Sequence, residues 1–394
     1  MKKGLLIRSI SLVLAMLCCC GCLFACNNAD EPSETEKNSV QTTVLNEPDD
    51  SEPDKEEDTT PVTKVETPLL DEIVANTKHK LCFREDGSFK VVTLGDIQYR
   101  LISDAQKELI KIVIDREDPD LVIFTGDNCR YKYDHPDNSE FTQYVSDMVG
   151  YIEEKEIPWC HVFGNHDAED TNLSKERQQA VYESFEYCVS SSGPEDINGI
   201  GDYVLPVYSS DGKTIKAAVW CLDSGMYTSD GVDTSTSQSG TVTDYIRQNQ
   251  VDWYKSISAE LTAQNGGVPV YGMMAFHVPL QENLTAWENR EILNLEWTGK
   301  CSEAVHGSPY HSTLFEAIKE CGDIKAIANA HDHHNDYAVK YQGVWLTFAG
   351  SAGTSTNTGR SEDMIGGRAF VLNEDNPEDI ATYMSYVQGL YKKP

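Results

Sequence analysis

The sequence predicts an α/β protein, on three observations. Five short apolar runs each lead into Asp, Asn or His: Phe89–Leu94 into Gly95-Asp96-Ile97-Gln98, Leu121–Thr125 into Gly126-Asp127, Trp159–Phe163 into Gly164-Asn165-His166-Asp167, Tyr271–Phe276 into His277, and Ile324–Ala330 into His331-Asp332-His333. Stretches with helical spacing lie between such runs, which favours βαβ units. The ligand-type residues stand just past the runs, and α/β proteins gather ligands at the carboxyl ends of their strands.

Taken in chain order, the first element is a signal. Met1-Lys2-Lys3 and Arg8 form a positive end, and Leu12–Cys22 is apolar but too short to span as a mature helix. Leu23-Phe24-Ala25-Cys26 resembles a bacterial lipobox. Residues 1–25 are therefore expected to be a lipoprotein signal peptide, with Cys26 the lipidated residue. Residues 26–75 are expected to be a disordered acidic tether. Asn27 to Pro68 holds 13 acids and 3 lysines with almost no apolar residue. It cannot bury enough surface to offset ordering entropy. Residues 76–394 are long enough for one large domain.

Within that domain, Ser103–Arg116 places Ala105, Leu109, Ile110, Ile112, Val113 and Ile114 at near-helical spacing behind a Ser103 cap. Further helices are expected at Phe141–Lys155, Ser174–Cys188, Tyr245–Ala263 and Ser312–Cys321, the long one stopped by Gly266-Gly267. Ala217–Leu222 and Val344–Ala349 add strands, and Ala369–Leu372 and Thr382–Val387 supply more in the tail. Gln281 to His311 reads as a long polar and aromatic loop between two ligand strands, of the kind that forms lids or binding loops. Trp253 is expected in the core.

Of the net charge of −32, the signal carries +3 and the tether −10, leaving −25 on the domain. An acidic domain is a poor partner for phosphate backbones, so no nucleic acid is expected. Seven cysteines remain past the signal and its lipobox, and none forms a Cys-x-x-Cys pair, which argues against a zinc ribbon. Mostly reduced thiols are expected, with Cys129, Cys160 and Cys221 buried beside strands.

The ligand-type residues describe a site for two divalent ions. Two ions about 3.5–4 Å apart clamp the attacking and leaving oxygens of a phosphoryl displacement. Such a pair needs a shared anion, and Asp127, ending a run beside Gly126, suits the bridge. Imidazole and carboxylate are the matching ligands on either side. A lone Gly-Asp is a turn and a lone His is usually structural. The ordered set Gly-Asp-x-Gln, Gly-Asp-Asn, Gly-Asn-His-Asp, His and His-x-His is specific.

At these residues the chain resembles the calcineurin-like metallophosphoesterase superfamily, over roughly Phe89 to Ala349. The resemblance implies a four-layer α-β-β-α sandwich, in which two packed mixed sheets are flanked by helices. It implies that Asp96 binds the first metal with His333, that Asp127 bridges, and that Asn165, His277 and His331 hold the second. His166 would meet the phosphate or protonate the leaving oxygen, with Asp167 orienting its ring. More narrowly, Pro119–Asn128, Phe276–Leu280 and Gly322–Ala326 leading to His331–Asp336 resemble a plant and fungal purple acid phosphatase-like subgroup. Three departures stand out. Arg130 replaces the iron-binding Tyr, with Tyr131 one place late, so no purple ferric-tyrosinate pair is expected. Gln98 replaces a His and would ligate through its carbonyl oxygen. Ala330 replaces a Gly.

The expected protein is thus a membrane-anchored, outward-facing phosphoesterase using two divalent ions, drawn from Mn, Fe, Zn or Mg. Its substrate is expected to be a small phosphate ester, a monoester by the subgroup resemblance. A phosphodiesterase for nucleotide, cell-wall or lipid head-group substrates is the first alternative. A surface binding protein that kept the fold and lost turnover is the second. His334 is expected to point away from the ligand pair, Asn335 and Asp336 to anchor the His-x-His loop, and Arg100 to contact a substrate phosphate or to pair with a surface acid.

Overall fold

The structure is a computed structural model that describes Leu70 and residues 73–74, 77–98, 100–130, 137–169, 172–229, 241–354 and 364–387. The expected signal, Cys26, nearly all of the tether, and Tyr131 lie outside the described residues. In chain order the elements are β1 (Leu81–Cys82), β2 (Ser88–Leu94), α1 (Asp104–Glu117), β3 (Leu121–Thr125), α2 (Ser139–Glu154), β4 (Trp159–Val162), α3 (Lys175–Glu183), β5 (Tyr203–Tyr208) and β6 (Ile215–Cys221). There follow β7 (Tyr227–Thr228), β8 (Val242–Thr243), α4 (Gln248–Gln264), β9 (Gly272–Ala275), α5 (Gln281–Asn289), β10 (Trp297–Thr298) and α6 (Leu314–Cys321). The chain closes with β11 (Ile324–Asn329), β12 (Ala338–Tyr341), β13 (Val344–Phe348), β14 (Gly366–Asn373) and β15 (Ala381–Tyr386).

Two mixed sheets carry the fold. One runs β15-β14-β2-β3-β4 and the other β1-β5-β6-β9-β11-β13-β12-β10. In the first, β2, β3 and β4 are parallel; in the second, β6, β9, β11 and β13 are. Strands buried on both faces must be apolar throughout, and β3 is Leu-Val-Ile-Phe-Thr with every residue buried. The sheets meet face to face around Val91, Ile123, Cys160, Val219, Met273 and Phe370. Leu109, Val113, Phe141, Val145 and Tyr182 of α1, α2 and α3 cover the outer face of the first sheet, around Trp159. Trp253, Tyr254, Ile257, Phe315 and Ile318 of α4 and α6 cover the second, around Trp220. The four layers expected from the family resemblance are present.

Local differences from the sequence reading have identifiable causes. Ser103 caps α1 as expected, accepting from Gln106 N at 3.2 Å. The helix expected over Ser174–Cys188 stops at Glu183, because residues 187–189 pair with the edge of β4: Trp159 N donates to Tyr187 O and Val189 N to Trp159 O. The segment read as a loop from Gln281 opens with α5, which buries Asn283 and Ala286. Packing also begins earlier than residue 76: Leu70 is buried, its N–H donates to Glu260 Oε2, and Ile73 and Val74 pack on the α4 side. All seven described cysteines are free thiols, and Cys129, Cys160 and Cys221 are buried.

Candidate metal centre

The parallel strands of both sheets end at one place. Asp96 follows β2 and Asp127 follows the adjacent β3; Asp96 N donates to Gly126 O and Gln98 N to Asp127 O, so the two loops are laced together. His277 and His331 follow the neighbouring β9 and β11, and Ala330 N donates to His277 O. The sheets are tied where they end, since His277 Nδ1 donates to Thr125 O at 3.0 Å. That bond fixes the tautomer and leaves Nε2 facing the centre.

The backbone is bent hard to aim these groups. Asp96, Gln98, Asp127 and His331 all have positive φ, at 53°, 46°, 50° and 75°. Left-handed backbone is costly for residues with a Cβ and concentrates at functional sites. At His331 it breaks the strand, and the backbone turns between the two imidazoles, with Asp332 N donating to Ala330 O. Gly164 is required for contact: a Cβ there would fall 2.2 Å from Asp127 Oδ1. At Gly126, with φ 91°, a Cβ would meet the His277 ring.

Asp127 sits at the middle. Two ligand groups, Asp127 with His277 and His331, and Asp96 with Asp127 and His333, each gather donor atoms within 4.8 Å of one another. Asp127 belongs to both. Its Oδ2 lies 3.4 Å from His277 Nε2, and its Oδ1 accepts His166 N at 2.8 Å. His331 Nδ1 is 3.2 Å from His277 Nε2, and His333 Nε2 is 3.3 Å from Asp96 Oδ1. Asn165 joins the first group through Oδ1, 3.2 Å from His277 Nε2. Gln98 reaches the second, but its amide nitrogen faces inward, donating to Asp127 Oδ2 at 2.6 Å and lying 3.3 Å from His333 Nε2. In this arrangement it is a hydrogen-bond donor to the central carboxylate.

These residues suit divalent cations. Asp96 and Asp127 are buried, and Asp96 Oδ1 makes no hydrogen bond, its contact being His333 Nε2 at 3.3 Å. A buried carboxylate is costly unless a positive charge meets it. Burial opposes ionisation of Asp127, but His277 and His166 outweigh it and hold the carboxyl below its ordinary range. Burial likewise opposes a charge on His277, and Asp127 outweighs it, raising the imidazole to about 9. Burial and the neighbouring His277 lower His331 to about 3, leaving a neutral imidazole able to ligate. Carboxylates and imidazoles together are the donors that Mn, Fe and Zn accept.

The carboxylate behind His166 is not the expected one. Asp167 staples the loops instead: its Oδ2 accepts Asp127 N at 3.0 Å and Gly164 N at 2.7 Å, and its Oδ1 accepts Cys129 N at 2.9 Å. Burial and then the Asp127 charge raise it to about 6. The His166 ring is oriented by Glu169, whose Oε2 meets Nδ1. His166 Nε2 then points inward, 4.0 Å from Asp127 Oδ2. Sequence reasoning missed Glu169 because one more acid after Gly-Asn-His-Asp carries no pattern. It also missed Tyr227, whose hydroxyl contacts Asn165 and Glu169, and Ser351, which donates to Asp96 O at 3.0 Å. Tyr227 and Ser351 reach the site only through tertiary structure.

Asn335 and Asp336 tie the loop after His333 to residues 300–303. Asn335 Oδ1 accepts Ser302 N and Glu303 N, and Asp336 accepts Lys300 N and Tyr386 Oη. Asp332, between the two imidazoles, is buried and binds His306 Nδ1 at 2.7 Å. Trp253 lies in the core, and Trp287 stacks on Tyr337.

The fold and the paired ligand groups define a metal-dependent phosphoric ester hydrolase. The profile of the calcineurin-like phosphoesterases matches residues 89–335. The chain belongs to that family. It is 27% identical over 311 residues to "Probable inactive purple acid phosphatase 14" of Arabidopsis thaliana, covering 70% of this chain and 73% of that one. It is 23% identical over 349 residues to "Phosphatase DCR2" of Saccharomyces cerevisiae, covering 77% of this chain and 57% of that protein. A solved dimetal phosphatase from Danio rerio aligns with TM-score 0.46 and 10% identity, over 75% of this chain and 98% of that one.

Proposed function

We propose that this protein is a dinuclear phosphomonoesterase that works outside the membrane, held there by a lipid on Cys26. The observation that carries the dinuclear reading is Asp127, one buried carboxylate common to two ligand groups. Asp96 and His333 would hold one ion, and Asn165, His277 and His331 the other. When bound, such ions act as Lewis acids on phosphoryl oxygens and make water a better nucleophile. The remaining work falls to the chain. Asp127 would place its negative charge between the two cations. Gln98 holds the Asp127 carboxylate in place by its amide N–H. His166, locked by Glu169 at Nδ1, offers Nε2 as the atom that hands a proton to the departing oxygen. The crowded Asp167 carboxylate holds the Asn165-His166 turn against Asp127.

The monoester preference is supported by the likeness to purple acid phosphatase-like relatives. The external address is supported by the lipobox and the acidic stretch behind it, both read from sequence. A non-catalytic role has two observations in its favour: Gln98 stands where the family pattern has an imidazole, and several relatives carry "inactive" in their names. The test is metal analysis of purified protein coupled to a screen of p-nitrophenyl phosphate and bis-p-nitrophenyl phosphate. Two ions per chain with monoester turnover is the expected result. Diester turnover alone would move the substrate class, and bound metal without turnover on either would favour the binding protein.

A further inference from the structure

A side-chain amide offers a cation an oxygen at one end and, at the other, an NH₂ group that cannot ligate. We infer that Tyr227 is a positioning residue that fixes which end of Asn165 faces the metal centre, and that Glu169 imposes this by taking the only proton Tyr227 has. The inference rests on the dinuclear reading above. Asn165 Nδ2 donates to Tyr227 Oη at 2.8 Å, while Asn165 Oδ1 lies on the ligand side, 3.2 Å from His277 Nε2. Tyr227 Oη donates to Glu169 Oε1 at 3.2 Å. A carboxylate has no proton to return, so the Tyr227 oxygen is left with lone pairs toward Asn165. Only the NH₂ end satisfies them. The reversed amide would oppose carbonyl and phenol lone pairs and turn two N–H groups toward a cation.

The same carboxylate acts twice. Its Oε2 accepts from His166 Nδ1, so Glu169 sets both the polarity of a ligand and the free nitrogen of the proton donor. Arg130 Nη2, 3.7 Å from Oε2, matches the Glu169 charge. Arg130 occupies the position of the iron-binding Tyr in the purple enzymes. Here that position serves the carboxylate that aligns Asn165 and His166.

The experiment is a calorimetric titration of metal-free, full-length protein with Mn²⁺. Tyr227→Phe is expected to weaken the ion held by Asn165, His277 and His331 by about 10–100-fold, the usual effect of removing an outer partner of a ligand. The other ion and the melting temperature of the metal-free protein should not change. Glu169→Gln should give the same loss, because its amide can donate to Tyr227 and free the phenol proton; adding Tyr227→Phe to it should cost nothing more. In an Asn165→Asp background either carboxylate oxygen can face the ion, so Tyr227→Phe should have no effect. Equal affinity in wild type and Tyr227→Phe, or the same loss in both Asn165 and Asn165→Asp backgrounds, would overturn the inference while leaving two ions in place. Wild-type protein that binds no Mn²⁺ would overturn the dinuclear reading and this inference with it.

Discussion

His166 and Asp167 are neighbours in sequence with different duties in the structure, and substitutions should separate them. His166→Ala removes the inward Nε2 but no ligand, so it should keep both ions and lose about 10²–10⁴-fold in kcat, as for a general acid. Metal analysis beside steady-state kinetics checks this; loss of metal would reassign the residue. Asp167→Asn replaces an acceptor of three backbone N–H groups, so its main effect should be a lower melting temperature. Gln98 makes a third contrast. Its amide nitrogen donates to Asp127, so Gln98→Ala should leave metal stoichiometry unchanged, whereas Gln98→His should tighten one ion and favour Zn²⁺ over Mn²⁺. If Gln98→Ala dropped the count by one ion, the carbonyl oxygen would be a ligand after all.

At the scale of elements, much of the site was legible because strand ends are linear in sequence. β2, β3, β4, β9 and β11 each lie within a residue or two of the apolar run that announced them, and the ligand-type residues follow directly. Glu169, Tyr227 and the end of α3 were not legible, because each depends on which loop packs beside which strand edge. His161, on β4, shows what the strands themselves require. It is buried, and burial lowers its pKa to about 3, against an ordinary value of about 6.5. The folded state therefore binds fewer protons than the unfolded state between those values. Its contribution is complete above pH 6.5, declines as pH falls, and levels off below pH 3. His161→Gln should flatten the acid limb of urea-unfolding midpoints in that window; parallel curves for wild type and variant would contradict the assignment. Gly164→Ala tests the loop after β4, where a Cβ would lie 2.3 Å from Asp127 N. It should lose metal and stability together.

At the scale of the whole molecule, two sheets end together and gather a set of candidate metal ligands that neither could assemble alone. The four-layer arrangement followed from the motif resemblance rather than from periodicity, since alternating strands and helices fit several α/β folds equally well. Among the described residues no helix is long and apolar enough to cross a membrane. The attachment proposed is the lipid on Cys26, and Cys26→Ser should release the protein from the membrane fraction or block its processing. The role proposed for Asp127 is to join two ions. Its most direct measurement is electron paramagnetic resonance of metal-free protein loaded with two equivalents of Mn²⁺, for wild type and Asp127→Asn. Wild type should show a spin-coupled pair in place of the six-line signal of isolated Mn²⁺, and Asp127→Asn should bind at most one ion, uncoupled. A wild-type spectrum of isolated Mn²⁺ only, or a coupled pair that survives Asp127→Asn, would contradict the account.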